Sequence, residues 1–196
     1  MGFLKGKTAI ITGGGRSVLK DGSCGSIGYG IATAYAKEDA NLVITGRNKQ
    51  KLADAKEELE RLYNIKVLPV QADVSAGADN ETVVQHVIDE TIAKFGRIDV
   101  LINNAQASAS GVAANEWGPD GINANIICPL AWTAQLENFQ QTYPEAFEAN
   151  VKMPPAGHYG DVEKEIGRVC VQLTSPDFKY MNGETLTLEG GMGLRP

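Results

Sequence analysis

Thr8-Ala9-Ile10-Ile11, then Thr12-Gly13-Gly14-Gly15, then, after a loop over 16–25, Ser26-Ile27-Gly28-Tyr29-Gly30-Ile31-Ala32: this stretch decides the fold. Its first four residues are apolar and β-branched enough for a buried strand, and the small residues from Ser26 onward start a helix. A second apolar run, Leu42-Val43-Ile44-Thr45, ends at Gly46-Arg47. Strand, glycine loop, helix and strand within one βαβ-sized unit is an arrangement that holds a dinucleotide pyrophosphate. Glycines let the backbone turn tightly and come close to phosphate, and the helix N-terminus offers free N–H groups at its positive dipole end. The G-x-G-x-x-G spacing itself is absent, and Ser26 stands where a further glycine is usual. On this stretch alone, a glycine-rich turn without a ligand is the competing reading.

Outward from there, Lys49 to Leu62 reads as an amphipathic helix with Leu52, Ala55, Leu59 and Leu62 on one face. Ile65 to Val70 is a third strand, leaving through Gln71-Ala72-Asp73-Val74. Thr82 to Phe95 is a helix whose buried stripe is expected from Val83, Val84, Val87, Ile88 and Ile92. Ile98 to Ile102 is a fourth strand, ending in Asn103-Asn104-Ala105. This alternation calls for an α/β fold, a doubly wound parallel sheet of the Rossmann-like kind. Ligands of such sheets bind beyond the carboxyl ends of the strands. The polar clusters at 13–28, 46–47, 73–74 and 103–105 all fall at such ends and define a cleft.

Length and composition narrow the function. A chain of 196 residues with 43% hydrophobic content supports one core, so residues 1–196 are read as a single domain. A net charge of −6 argues against nucleic-acid and anionic-membrane surfaces as partners. No run is long enough to span a bilayer, and the apolar start is interrupted too early for a signal peptide. Cys24, Cys128 and Cys170 are odd in number and widely spaced, giving neither a disulfide framework nor a metal knuckle; a reducing, cytoplasmic setting is expected. Gly6-Lys7-Thr8 echoes a P-loop, but it precedes the strand and lacks a correctly spaced upstream glycine.

Thr12-Gly13 with Ser26-Ile27-Gly28, Gly46-Arg47-Asn48, Asp73-Val74 and Asn103-Asn104-Ala105 together resemble the short-chain dehydrogenase/reductase family. Asn115 to Asn125, Pro129 with Thr133, and Gly183 to Gly191 resemble its later segments, so the likeness covers nearly the whole chain. The resemblance implies an NAD(P)(H)-dependent oxidoreductase acting on a carbonyl, hydroxyl or enoyl group of a small molecule. It makes Gly13, Ser26, Ile27 and Gly28 the pyrophosphate turn, places Asp73 and Val74 beside the adenine, Asn103 and Ala105 along the cofactor, and Thr133 at the nicotinamide amide. Arg47 stands where an acidic residue would hold the 2′-hydroxyl of NAD; its cationic fork suits a 2′-phosphate, so NADP(H) is expected over NAD(H), with Arg16 and Lys20 as reinforcement.

The family's proton donor is a tyrosine with a lysine four residues on, beside a serine and an asparagine. None of Tyr29, Tyr35, Tyr63, Tyr143, Tyr159 or Tyr180 has a lysine at that spacing. Between Asn103 and Glu116 this chain lacks a helix, a strand and most of a second helix of the family pattern, on the order of 50 residues. No residue is therefore assigned a catalytic role, and none a metal. His86 reads as an ordinary helix residue and His158 as a loop residue. The alternative function is thus a non-catalytic dinucleotide-binding protein or inactive deletion form. A short helix over 107–117 is expected to carry the chain to a strand, 122–127, paired directly beside the fourth. Residues 131–159, rich in aromatics, resemble a substrate lid and imply a partly hydrophobic substrate. A helix over 161–173, with Val162, Ile166, Val169, Cys170 and Leu173 inward, and the strand 184–189 are the expected homodimer surface.

Overall fold

Strand and helix alternate from the start of the chain in the computed structural model, which describes residues 2–73, 80–104 and 110–193. β1 (Thr8–Thr12) is buried at all five positions and lies inside a parallel sheet of order β3-β2-β1-β4. Its neighbours are β2 (Asn41–Gly46) and β4 (Val100–Ile102), with β3 (Val67–Gln71) beyond β2. Side chains alternate across the sheet. Ala9, Ile11, Leu42 and Ile44 therefore face one core with α1 (Ile27–Lys37), while Ile10, Val43 and Val70 face a second with Val87 of α3 (Asn80–Phe95). Burial on both faces accounts for the unbroken apolar runs in the sequence.

α1 has no solvent face: every residue from Gly28 to Ala36 is buried. It lies between the sheet and a π-helical stretch, Val162–Gly167, that continues into α7 (Arg168–Gln172). A Cβ at Gly30 would overlap the Val162 carbonyl, so the close approach of the two elements requires glycine there. Tyr35 crosses the same contact and donates from its hydroxyl to the Cys170 carbonyl at 2.9 Å.

α2 (Lys49–Tyr63) begins at Asn48, whose side chain accepts from the Lys51 N–H at 3.0 Å, and ends at Asn64 in the left-handed region. Leu52, Ala55 and Leu59 are buried as the stripe predicts. Leu62 is 50% exposed; at 100° per residue it stands about 80° around the helix from Leu52. In α3 the buried line is Val87 and Thr91, with Val83 beside it, and Val84 and Ile92 are 41% and 46% exposed. Thr91 can occupy that line because its hydroxyl donates to the Val87 carbonyl at 2.6 Å.

One expected pairing is overturned. β5 (Ile126–Pro129) does not lie beside β4; it pairs in parallel with β6 (Thr185–Leu188) in a separate two-stranded sheet. After α4 (Ser110–Trp117), Asn123 donates to the carbonyls of Lys179 and Met181, Asn125 to that of Met181, and Asn182 accepts from the Ala124 N–H. These bonds fix the entry of β5 against the segment that leads into β6. Of the stripe assigned to 161–173, Val162, Ile166 and Cys170 are buried and Val169 and Leu173 half-buried, and the element packs against α1 of the same chain.

Gly30→Val is expected to cost at least about 2 kcal/mol, because the new side chain meets backbone that cannot yield. Gly46→Ala, where a Cβ meets only Leu52 Cδ2 at 3.7 Å, is expected to change stability little. Thermal melts of the two variants check this, with a fall of about 2–4 °C per kcal/mol for a chain of this size.

Candidate functional site

The carboxyl ends of β1, β2 and β4 converge on the N-terminus of α1. Gly13 turns the chain with φ of 72°, and the N–H groups of Gly13 and Gly14 donate to the Thr45 carbonyl at 2.9 and 3.1 Å. A Cβ at Gly28 would overlap the Gly13 carbonyl and stand 2.8 Å from Asn104 Nδ2. The Asn104 amide itself donates to the Thr12 carbonyl at 3.0 Å. Strand β1, the glycine turn, the first turn of α1 and the end of β4 thus meet at backbone distance. The leading N–H groups of α1 have no intrahelical acceptor. Ser26, at the N-cap in extended conformation, makes no side-chain cap bond, and its buried Oγ has no hydrogen-bond partner. An unsatisfied buried hydroxyl beside free amides is a cost that an anion in the turn would remove. The residues therefore fit the pyrophosphate of a dinucleotide.

The loop over 16–25 is a brace. Val18 and Cys24 pair across it, Arg16 N–H donates to the Lys51 carbonyl at 2.8 Å, Lys20 N–H reaches Glu137 at 3.2 Å, and the Gly25 carbonyl accepts from Ala134 N–H at 2.8 Å. Its far side is attached to α5 (Ala134–Thr142), whose N-cap is Thr133. Arg16, expected at the cofactor, is engaged by Glu58 on α2 at 2.6 Å, and Glu58 also accepts from the Tyr29 hydroxyl at 2.7 Å. Burial pushes the Glu58 carboxyl up, but these two hydrogen bonds outweigh it and hold it below the usual range; the same pair raises the Arg16 guanidinium. Burial and the Glu58 bond drive the Tyr29 hydroxyl far above the ordinary phenol value, so it is no proton donor at neutral pH. Burial, with the neighbouring Cys170 adding to it, does the same to Tyr35.

Arg47 lies exposed just past β2, and among the described residues it forms no ion pair. Asp73 is half-buried after β3, where the Ala72 N–H donates to the Gly46 carbonyl at 3.1 Å. Asn103 is exposed at the end of β4. Val74 and Ala105 lie outside the described residues. Asn104, passed over in favour of its neighbours, is the residue that holds the turn; its role depends on β4 lying beside β1, which no local pattern states.

A cavity of about 590 Å³ opens beside α1 and brings Ile27 and Thr133 together with Leu130, Phe139, Lys152 and Tyr159. Its volume suits a small-molecule ligand. α5 and α6 (Pro144–Asn150) cover it through packed rings: Trp132 lies 6.2 Å from Phe147 and 5.9 Å from Tyr159, and Phe139 lies 6.0 Å from Phe147. The Tyr159 hydroxyl donates to the Lys152 carbonyl at 2.8 Å. The segment is pinned behind the cavity by His158, whose Nε2 meets Glu165 at 2.9 Å and whose Nδ1 meets the Ala156 carbonyl at 3.3 Å. Both partners are acceptors, so the doubly protonated ring satisfies both.

With this geometry in place, the comparisons with known proteins define the class. The chain belongs to the short-chain dehydrogenase family: the profile described as short chain dehydrogenase matches residues 7–115, and one described as Enoyl-(Acyl carrier protein) reductase matches 105–193. A 12alpha-hydroxysteroid dehydrogenase of Clostridium sp. is 50% identical over 266 residues, covering 100% of both chains. An 11-beta-hydroxysteroid dehydrogenase-like 2 of Arabidopsis thaliana is 38% identical over 211 residues, covering 89% of this chain and 66% of that one. In fold, a short-chain dehydrogenase/reductase from Burkholderia xenovorans superposes with a TM-score of 0.84 over 100% of both chains at 18% identity. The L-sorbose reductase from Gluconobacter frateurii, complexed with NADPH and L-sorbose, gives 0.81 over 98% of both at 19%. Among the described residues no helix is long and apolar enough to cross a membrane, and no group of side chains is arranged to hold a metal.

The bond to Glu165 raises the His158 pKa above its ordinary value, and the Ala156 carbonyl adds to it; the Asp161 N–H and His158 hold Glu165 below its own. The clamp is therefore at full strength below about pH 6.5 and weakens as pH rises through the raised His158 value; at the acid end it fails as pH falls through the lowered Glu165 value. Amide exchange at 156–160 is expected to quicken between about pH 6 and 8 beyond the intrinsic rate, and His158→Gln is expected to remove that excess.

Proposed function

We propose that this protein's chemistry is oxidoreduction at a hydroxyl or carbonyl group of a bulky, largely apolar small molecule of the hydroxysteroid kind, with NADP(H) as cofactor. The observation that carries this reading is Ile27: it begins the helix whose N-terminus fits a pyrophosphate, and it also lines the 590 Å³ cavity shared with Thr133 and the aromatic cover. A dinucleotide seated on that helix would therefore present its far end to the cavity. When bound, the nicotinamide supplies or accepts the hydride. Amides of Ile27 and Gly28 with the Ser26 hydroxyl hold phosphate oxygens, and Gly13 allows them to approach. Asp73 and Val74 border the adenine, Asn103 and Ala105 run along the cofactor, and Thr133 faces the carboxamide. Arg47 meets the 2′-phosphate as a planar fork. The rings of Trp132, Phe139, Phe147 and Tyr159 exclude water and match a rigid apolar substrate. The 50% identical hydroxysteroid dehydrogenase supports that substrate class. A homodimer through the outer side of 161–173 and β6 completes the reading.

The proton donor is the incomplete part. No tyrosine–lysine pair has the family spacing in these 196 residues, whereas the alignment with the Clostridium enzyme runs over 266 positions. We infer that the donor belongs to positions this chain does not carry. Its loss slows hydride transfer by about 10²–10⁴-fold, the usual worth of a placed acid.

Titration monitored by NADPH fluorescence is expected to saturate, with NADPH bound more tightly than NADH. Arg47→Ala is expected to weaken NADPH at least about tenfold, from a charge-assisted bond of about 1.5–3 kcal/mol, and to leave NADH unchanged. A compact sample showing no saturable complex would overturn the cofactor reading. Robust hydroxysteroid turnover by material whose intact mass equals this sequence would overturn the inference about the donor.

A further inference from the structure

Two arginines stand beside the turn that fits a pyrophosphate, and the fold treats them differently. Arg47, exposed past the end of β2, forms no ion pair among the described residues. Arg16 leaves the turn directly after Gly15, and its guanidinium is bonded to Glu58 Oε2 at 2.6 Å.

The direction of the Arg16 side chain follows from where its backbone is held. The Arg16 N–H donates to the Lys51 carbonyl at 2.8 Å, in the first turn of α2, and a Cβ at Gly15 would meet Lys51 Cβ at 3.2 Å. Arg47 and the cap at Asn48 lie on one side of Lys51, about one turn back along the chain. Glu58 lies on the other side, seven residues or about 10.5 Å along the helix. The guanidinium is therefore drawn away from the end at which a 2′-phosphate beside Arg47 would sit.

Glu58 is itself a fixed anion. Its Oε1 accepts from the Tyr29 hydroxyl at 2.7 Å, and Tyr29 is 2% exposed on α1. One carboxylate oxygen is thus committed to a buried phenol and the other to Arg16, which sets the charge between α1 and α2. A carboxylate is ionised at neutral pH, and a guanidinium bonded to it reaches a phosphate only by breaking that charge-assisted bond.

We propose that Glu58 is a positioning residue for cofactor choice: it holds Arg16 along α2, withholds that guanidinium from a 2′-phosphate, and leaves Arg47 to read the phosphate alone. The assignment rests on NADP(H) as cofactor and adds which of the two arginines belongs to the fold. The preference for NADPH over NADH is then smaller than two cations at the turn could give, and release of Arg16 enlarges it.

NADPH and NADH are titrated by fluorescence into the wild type, Glu58→Gln, Arg16→Ala and the double variant, each checked by a thermal melt. Glutamine keeps an acceptor for the Tyr29 hydroxyl and loses the charge that holds Arg16. Glu58→Gln is expected to tighten NADPH at least about threefold and to leave NADH within about twofold. Arg16→Ala alone is expected to move neither nucleotide by more than about twofold, and the double variant is expected to lose the gain. The ratio of the two affinities is the readout, because a loosening of α1 against α2 weakens both nucleotides alike. An unchanged ratio in Glu58→Gln overturns the assignment. A gain that survives in the double variant overturns it too, since the gain then comes from the field of the removed carboxylate and not from Arg16. The same holds for a loss of about tenfold or more in NADPH alone on Arg16→Ala, which puts Arg16 on the phosphate already; this arm decides even where Glu58→Gln does not fold. A wild type that binds neither nucleotide overturns the cofactor reading and the assignment together, whereas the other adverse outcomes leave that reading standing.

Discussion

A helix with no outside governs this structure. α1 is buried from Gly28 to Ala36, and its two glycines bear on opposite neighbours: Gly28 against the Gly13 carbonyl at one end, Gly30 against the Val162 carbonyl about half a turn on. Rotation about its axis would drive a carbonyl into either contact. The direction of its N-terminus, and of the unpaired amides and Ser26 hydroxyl there, is therefore set by core packing rather than by any bond at the site. Tight packing of α1 and orientation of the anion seat are one constraint.

The same constraint reaches the cavity through the loop over 16–25. Its backbone is tied to α2 at Lys51, across itself at Val18 and Cys24, and to α5 at Ala134, while Lys20 N–H reaches Glu137. A loop long enough to read as slack in the sequence is instead a strut between the phosphate turn and the base of the cover. Arg16 illustrates the cost of reading charges singly. Its guanidinium is held by Glu58, itself shared with Tyr29, so this cation stabilises α1 against α2.

Much of the fold was legible because its signals are local. β1 and β2 are short apolar runs between glycine and polar residues, and the α2 stripe of Leu52, Ala55 and Leu59 follows helical spacing. What failed was what the chain leaves to tertiary pairing. Val84 and Ile92 are as apolar as Val87, but only the packing of α3 on β1 to β3 decides which of them is buried. The strand at 126–129 was foreseen within a few residues, and its partner was not: the choice of β6 is made by Asn123, Asn125 and Asn182 across more than fifty residues. At the site, Gly13, Ser26, Ile27 and Gly28 come from the family resemblance, and the structure brings them together where β1 meets α1. Asn104 was not legible, since its amide matters only once β4 lies beside β1.

The two sheets divide the labour unequally. Everything that fits the pyrophosphate belongs to β1, β2, β4 and α1, where each strand has a full-register parallel partner and α1 lies directly on the core. The strands of the second sheet are only four residues each, and that sheet adjoins the rest through Ile127 against the main core and through Leu188 in a small cluster with Ala131, Val162 and Ile166. A strand with one neighbour gains ladder bonds on one side only, and β4 is three residues long although the apolar run begins at Ile98. Loss of support between the sheets therefore weakens the cavity side before the nucleotide side.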